Sequence, residues 1–211
     1  MTVTPSQLGR PVGANGEQTR ARIITAAMRC VAEVGYSQAT IREIARAAEM
    51  TSGSLYHYFP NKSELLRVTV REIDEIAFPR LRAAAARGDD VVDRLGAVLD
   101  ESDRLMREYP HLAAFDRAIR AESTARSGRP KYAGLKALRD IINEIIEDAR
   151  SQGALPPDTN PGAAVDAIYA LTRGLTERAA SLPPNAYAAT LGSAKELIGG
   201  TLFARDPGTR R

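Results

Sequence analysis

The chain has 211 residues, 44% hydrophobic and 26% charged, with a net charge of +3, which excludes both a disordered chain and a membrane-embedded one. No apolar run approaches the ~20 residues that span a bilayer. The N-terminal MTVTPSQLGR lacks a basic segment leading into an apolar one, so no secretory signal is expected and a cytoplasmic location is.

Aromatic residues are few and Ala and Arg abundant, which favours helices over sheets. Apolar residues recur with a period near 3.6 almost throughout. The first helix is expected from Gly16 to Val34, with Ile23, Ile24, Ala27, Val31 and Val34 on one stripe and Gly35 at its C-terminal stop. Thr40 and Glu43 form a capping box ahead of Ile44, Ala45 and Ala48. A short helix follows from about Ser52 to Phe59, stopped by Pro60. Asn61, with Glu64 three residues on, opens a long helix through Leu65, Leu66, Val68, Val70, Ile73 and Ile76. Pro79 is expected to end that helix near Phe78 or to kink it; the pattern then resumes from Leu81 to Ala86 and stops by Gly88.

Asp89 or Asp90 caps a helix reaching about Tyr109, and Pro110 suits the first position of the next. SGRP at 127–130 reads as a loop. Leu135, Leu138, Ile141, Ile142, Ile145 and Ile146 give a strongly periodic helix from Tyr132 to Ser151. GALPPDTNPG at 153–162 is a linker ending in Asn160 and Pro161, a cap followed by a first-position proline. Two last helices are expected at about 161–181 and 187–203, for nine helices in all, with a frayed tail at 206–211. The fold class is all-α.

Helices at 40–48 and 52–59, joined by a tight turn, have helix-turn-helix spacing, in which the second helix can lie in a DNA major groove. That helix, TSGSLYHYF, is neither a Glu/Lys surface helix nor an apolar core helix. It has small residues at its N-terminal end, where backbone can approach a partner closely. Tyr56, His57 and Tyr58 behind them can hydrogen-bond phosphate oxygens, and the helix dipole favours anions at that end. Leu55 and Phe59, four apart, pack inward, and one of the tyrosine rings can serve as packing material as well.

Residues 17–66, about a quarter of the chain, resemble the DNA-binding domain of the tetracycline-repressor-like (TetR) family of bacterial transcriptional regulators. The resemblance runs through TRARIITAAMRCVAEVGY and TIREIARAAEMTSGSLYHYFPNKSELL. Its points are Thr40, Ile44–Ala45, Gly53, Leu55–Tyr56, Tyr58–Phe59, Lys62 and Leu65–Leu66. It implies an arm at 1–16, a helix-turn-helix domain at 17–62 and a helical ligand-binding and dimerisation domain at 63–205. It also implies double-stranded operator DNA as partner, with Thr51 (cap and phosphate), Ser52, Gly53 and Ser54 (base edges or backbone) and Tyr56 and His57 (base methyl or phosphate) at the groove. Thr40, Arg42 and Lys62 would hold phosphates, and Tyr36 and Cys30 would be packed in the core. Two positions depart from the family pattern. Glu49 stands where the turn usually has Gly, at a cost of about 1 kcal/mol if φ is positive. Ser52 stands where many relatives carry Lys, Arg or Pro, leaving Arg20 or Arg22 to supply a phosphate contact.

A regulator of this type needs two reading heads held about one DNA turn apart and an effector site coupled to them. The last two helices are the expected homodimer interface. One stripe is Val165, Ile168, Leu171, Thr172 and Leu175, with Gly174 permitting close approach; the other is Leu191, Ala194, Leu197, Ile198 and Leu202. The same stripes could instead close a monomeric core. The effector pocket is expected among Phe78, Leu105, Tyr109, His111, Phe115, Ile119, Tyr132, Ile142 and Tyr169. Its lack of clustered charge points to a small, largely apolar ligand. Phe78, beside Pro79 on the helix joining pocket to reading head, is where a ligand could act on Lys62.

Catalytic motifs are missing: no G-x-S-x-G, Walker loop, H-E-x-x-H or G-x-G-x-x-G occurs, and most carboxylates stand beside Arg on helix surfaces. Cys30, the single cysteine, excludes an internal disulfide and a multi-cysteine metal site, and His57 and His111 lack paired-ligand spacing, so no metal or other cofactor is expected. The expected function is a ligand-responsive transcriptional regulator, most simply a repressor. The alternatives are an activator of the same fold, or an all-α small-molecule binder or enzyme without DNA binding. The charge is unevenly placed: residues 1–62 hold 7 Lys/Arg against 4 Asp/Glu, and the remainder is neutral. The basic excess thus lies in the segment that would meet phosphate.

Overall fold

Side-chain caps set where most of the helices begin. In the computed structural model, which describes residues 12–127 and 136–202, every regular element is a helix. They are α1 (Val12–Val34), α2 (Ile41–Ala47), α3 (Ser52–Tyr58), α4 (Lys62–Ala85), α5 (Val91–Glu108), α6 (Leu112–Ser127), α7 (Lys136–Ser151), α8 (Pro161–Ala179) and α9 (Pro184–Ile198). The side chains of Thr40, Thr51, Asn61, Asp90 and Asn160 each accept a hydrogen bond from the backbone N–H three residues on, satisfying a donor that the first turn leaves open.

Several boundaries differ from expectation. α1 starts at Val12, inside the segment expected to be an arm. α4 runs through Pro79 to Ala85, so the proline does not end it. The buried Ala77, Leu81, Ala84 and Ala85 on either side hold the helix together across the lost N–H. α6 starts at Leu112 rather than Pro110, with the His111 carbonyl accepting from the Phe115 N–H. α9 starts at Pro184 and ends at Ile198, leaving Leu202 beyond the helix. Tyr132, most of the SGRP loop and the tail at 206–211 lie outside the described residues.

α1 packs on α2, α4 and α6; α4 packs on α5 and α7; α8 lies against α6, α7 and α9. The largest buried cluster runs without a break from Ile23 on α1 through Leu55, Phe59, Leu66, Phe115 and Ile142 to Val165 on α8. A smaller one joins Leu99 to Leu175, Tyr187, Leu191 and Ala194. Ion pairs reinforce the body: Arg80 on α4 donates to Glu101 at 2.8 Å and to Glu108 at 2.6 Å, both on α5. Arg104 also pairs with the buried Glu101.

Candidate nucleic-acid interface and effector cleft

The reading head is built from the caps inward. The Thr40 hydroxyl accepts from the Glu43 N–H at 3.2 Å, while the Glu43 carboxylate accepts from the Thr40 N–H and hydroxyl, each at 2.9 Å. These bonds hold the Glu43 carboxyl below its ordinary range. α2 ends with the Met50 N–H on the Ala45 carbonyl (3.0 Å) and the Glu49 N–H on the Arg46 carbonyl (3.1 Å), with Glu49 at φ 55°. That is a Schellman stop with glutamate at the left-handed position, as the departure from glycine implied. Thr51 caps α3, its Oγ1 2.9 Å from Ser54 Oγ and 3.0 Å from Ser54 N.

α3 presents two unlike faces. Leu55 and, just beyond the helix, Phe59 are buried against Ile44, Ala45 and Leu65 in the core. On the other side Gly53 and His57 are exposed, Tyr56 is 53% exposed and Tyr58 37%. Ser52 and Ser54 are half-buried, and Arg42 on α2 and Thr51 are exposed. Of the residues expected at the groove, Gly53, Tyr56 and His57 lie on the exposed part of α3, with Tyr58 beside them and Ser52 and Ser54 at its margins. Tyr36 and Cys30 are buried as expected, and burial pushes the Cys30 thiol up.

Lys62, expected on phosphate, and Arg20, one of the two alternatives on helix one, both make contacts within the subunit. Lys62 Nζ donates to the Tyr36 carbonyl at 2.8 Å and the Ser37 carbonyl at 3.4 Å, and lies 4.8 Å from the centre of the Tyr36 ring. It ties the start of α4 to the turn after α1. Arg20 pairs with Glu72 at 3.0 Å and lies 5.1 Å from the centre of the Phe59 ring. Arg22, the other alternative, is exposed. Sequence spacing does not reveal these ties, because each partner comes from a distant segment.

In the body, the expected pocket residues do not gather. Leu105 and Ile142 are core; Phe78 is half-buried, with the Arg82 guanidinium 4.7 Å from its ring centre. Tyr109 and His111 are half-buried at the α5–α6 turn, and Tyr169 is half-buried, with the Arg139 guanidinium 5.4 Å from its ring centre. Of the described residues in that set, Phe115 and Ile119 line a cleft, whose other walls are Leu112 and Asp116 from α6 and Val70, Ile73 and Asp74 from α4. Two of the residues lining it, Asp74 and Asp116, are aspartates; a helical stripe does not show which neighbours meet it.

The expected dimer stripes mostly turn inward. Val165, Thr172, Leu175, Leu191 and Ala194 are buried within the subunit, and Ile168, Leu171 and Ile198 are half-buried against its core. Leu197 (46%) and Leu202 (37%) are exposed, and so is Gly174.

A helix-turn-helix with a solvent-facing second helix, seated on a larger helical body, defines a DNA-binding transcriptional regulator. The family described as "Bacterial regulatory proteins, tetR family" matches residues 23–73, the segment that holds the helix-turn-helix. It is 27% identical over 179 residues to the HTH-type transcriptional regulator TtgR of Pseudomonas putida, covering 79% of this chain and 82% of that one. Against the HTH-type transcriptional regulator UidR of Escherichia coli it is 27% identical over 165 residues, covering 75% and 80%. The fold matches the fatty acid degradation regulator FadR from Bacillus halodurans with TM-score 0.73 at 21% identity, over 94% of this chain and 100% of that one. It matches FadR from Bacillus subtilis, solved in complex with stearoyl-CoA, with TM-score 0.72 at 21% identity, over 86% and 98%. None of the described helices is long and apolar enough to cross a membrane.

Proposed function

We propose that the chain is a homodimeric repressor that leaves its operator when a small organic effector with a largely apolar body binds between α4 and α6. The observation that carries the DNA-binding half is the two-faced α3: Leu55 and Phe59 anchor it in the core while Gly53, Tyr56 and His57 stand clear of the subunit. A rigidly backed helix with a small N-terminal end and hydrogen-bonding tips is what groove entry requires. The complex of a structural neighbour with stearoyl-CoA supports an effector site in this kind of helical body, as does the mostly apolar α4–α6 cleft.

The homodimer reading moves to the opposite side of the last two helices. On α8, Ala163, Ala167, Ala170 and Gly174 are exposed at helical spacing; on α9, Ala189, Ser193 and Leu197 are. Small side chains there let two copies bring α8 and α9 close enough to pack as a four-helix interface.

A mobility shift with the DNA flanking the chain's own gene, repeated across salt, tests the reading. Binding that weakens steeply with salt, is lost in Tyr56→Ala and loses about one unit of salt slope in Arg42→Ala is expected. No shift at low salt with any flanking fragment overturns it. Sedimentation velocity tests the dimer, with Ala170→Arg expected to give monomers.

A further inference from the structure

The α4–α6 cleft has an uneven build. Its α6 side, Phe115 and Asp116 included, is fully buried, whereas Val70, Ile73 and Asp74 on α4 are half-buried, so the cleft opens to solvent along α4. Its free space is about 10 Å³, room for about one water. α4 packs chiefly on α5 and α7, and α6 on α1 and α8. The seam between α4 and α6 can therefore part with little loss of packing.

The chemistry of the walls selects what enters. Five of the seven lining side chains are apolar, and both charged ones are carboxylates, Asp74 on one helix and Asp116 on the other. Asp116 is 5% exposed and ion-paired to Arg120 one turn along α6. Arg120 does not line the cleft, and its guanidinium also meets the Tyr169 side chain. An anionic head entering the cleft would lie against two carboxylates in a poorly solvated place, whereas a cationic head would be attracted by Asp74 and, less strongly, by Asp116, whose charge Arg120 partly offsets.

We infer that this cleft takes a cationic amphiphile, an ammonium-type head held between Asp74 and Asp116 with an apolar tail against Ile73 and Phe115. The inference rests on the reading of the chain as an effector-gated regulator and names the effector's charge. It also supplies the route to DNA. α4 begins at Lys62, which holds the Tyr36 and Ser37 carbonyls. Further along α6, the Glu122 carboxylate accepts from the Ser37 hydroxyl at 3.0 Å. The turn leading into α2 is thus held from both helices that form the cleft. A ligand that parts them pulls the two holds in different directions and re-aims α2 and α3.

Isothermal titration calorimetry on the full chain, with n-octyltrimethylammonium and n-octyl sulfate below their micelle-forming concentrations, tests this. Saturable binding of the cation, none of the anion, and an about tenfold or greater loss in Asp74→Asn are expected, with Asp74→Glu retaining binding. Asp74 is the site of choice because it is half-buried, whereas Asp116 is buried. Equal binding of both probes, no binding of the cation, or cation binding unchanged in Asp74→Asn overturns the inference. A mobility shift without probe reads the regulator function separately: operator binding that persists while the cation fails to bind sinks the effector class alone.

Discussion

The Lys62 ammonium sits on the Tyr36 carbonyl oxygen at 2.8 Å and 4.8 Å from the centre of the same residue's ring. Tyr36 is buried, so this contact fixes the first residue of α4 to a turn that is itself anchored in the core. It makes Lys62 a brace of the reading head.

Lys62→Met removes a charge-assisted hydrogen bond and a cation–π contact, and is expected to destabilise the fold by about 1 kcal/mol at this half-exposed position. Operator affinity falls because α2 and α3 lose their setting. The slope of affinity against salt stays the same, whereas loss of a direct phosphate contact lowers it by about one. Mobility shifts at several salt concentrations read the difference.

Acid should loosen α2 through Glu43. The Thr40 backbone N–H, and after it the Thr40 hydroxyl, hold the Glu43 carboxyl below its ordinary value. The stabilisation is therefore complete above the unfolded carboxylate value and is lost as pH falls through the lower folded one. Thr40→Ala removes the cap, costs about 1 kcal/mol, and flattens this dependence. Thermal unfolding followed by circular dichroism from neutral to acidic pH measures both effects.

Glu49 at φ 55° is the one described non-glycine residue in the left-handed region. Glu49→Gly relieves that conformation and is expected to stabilise the chain by up to about 1 kcal/mol. A Glu49→Val exchange, adding a branched Cβ at the same φ, should lower the melting temperature.

Pro79 lies inside α4 with its ring where an N–H to the Glu75 carbonyl would be. Replacing it by Ala restores that bond and is expected to raise stability by about 1–3 kcal/mol. Guanidinium unfolding at unchanged m-value would register the gain.

Much of the local architecture was legible because it is made within a few residues. Thr40 with Glu43, Asn61 with the Glu64 N–H, and Asn160 before Pro161 form caps from neighbours in the chain, and Gly35 and Glu49 take the left-handed turns expected of them. The two-faced α3 was equally readable, since Leu55 and Phe59 are one helical turn apart. Of the two outcomes open at Pro79, α4 does not end there, because tertiary burial of the neighbouring residues outweighs the intrinsic cost of one proline.

The apolar stripes of α8 and α9 declared that one face of each helix is buried. They did not say whether the cover is the same subunit or a second copy, and Val165, Leu175 and Leu191 turn out to be covered by their own chain. Lys62 on Tyr36, Ser37 on Glu122 and the meeting of Asp74 with Asp116 at one cleft have the same origin. Such pairs depend on the offsets and rotations with which distant helices pack, which periodicity along a single helix leaves open. The reading head's identity was thus written in adjacent residues, while its braces and the charge of the α4–α6 cleft came from the docking of helices remote in the chain.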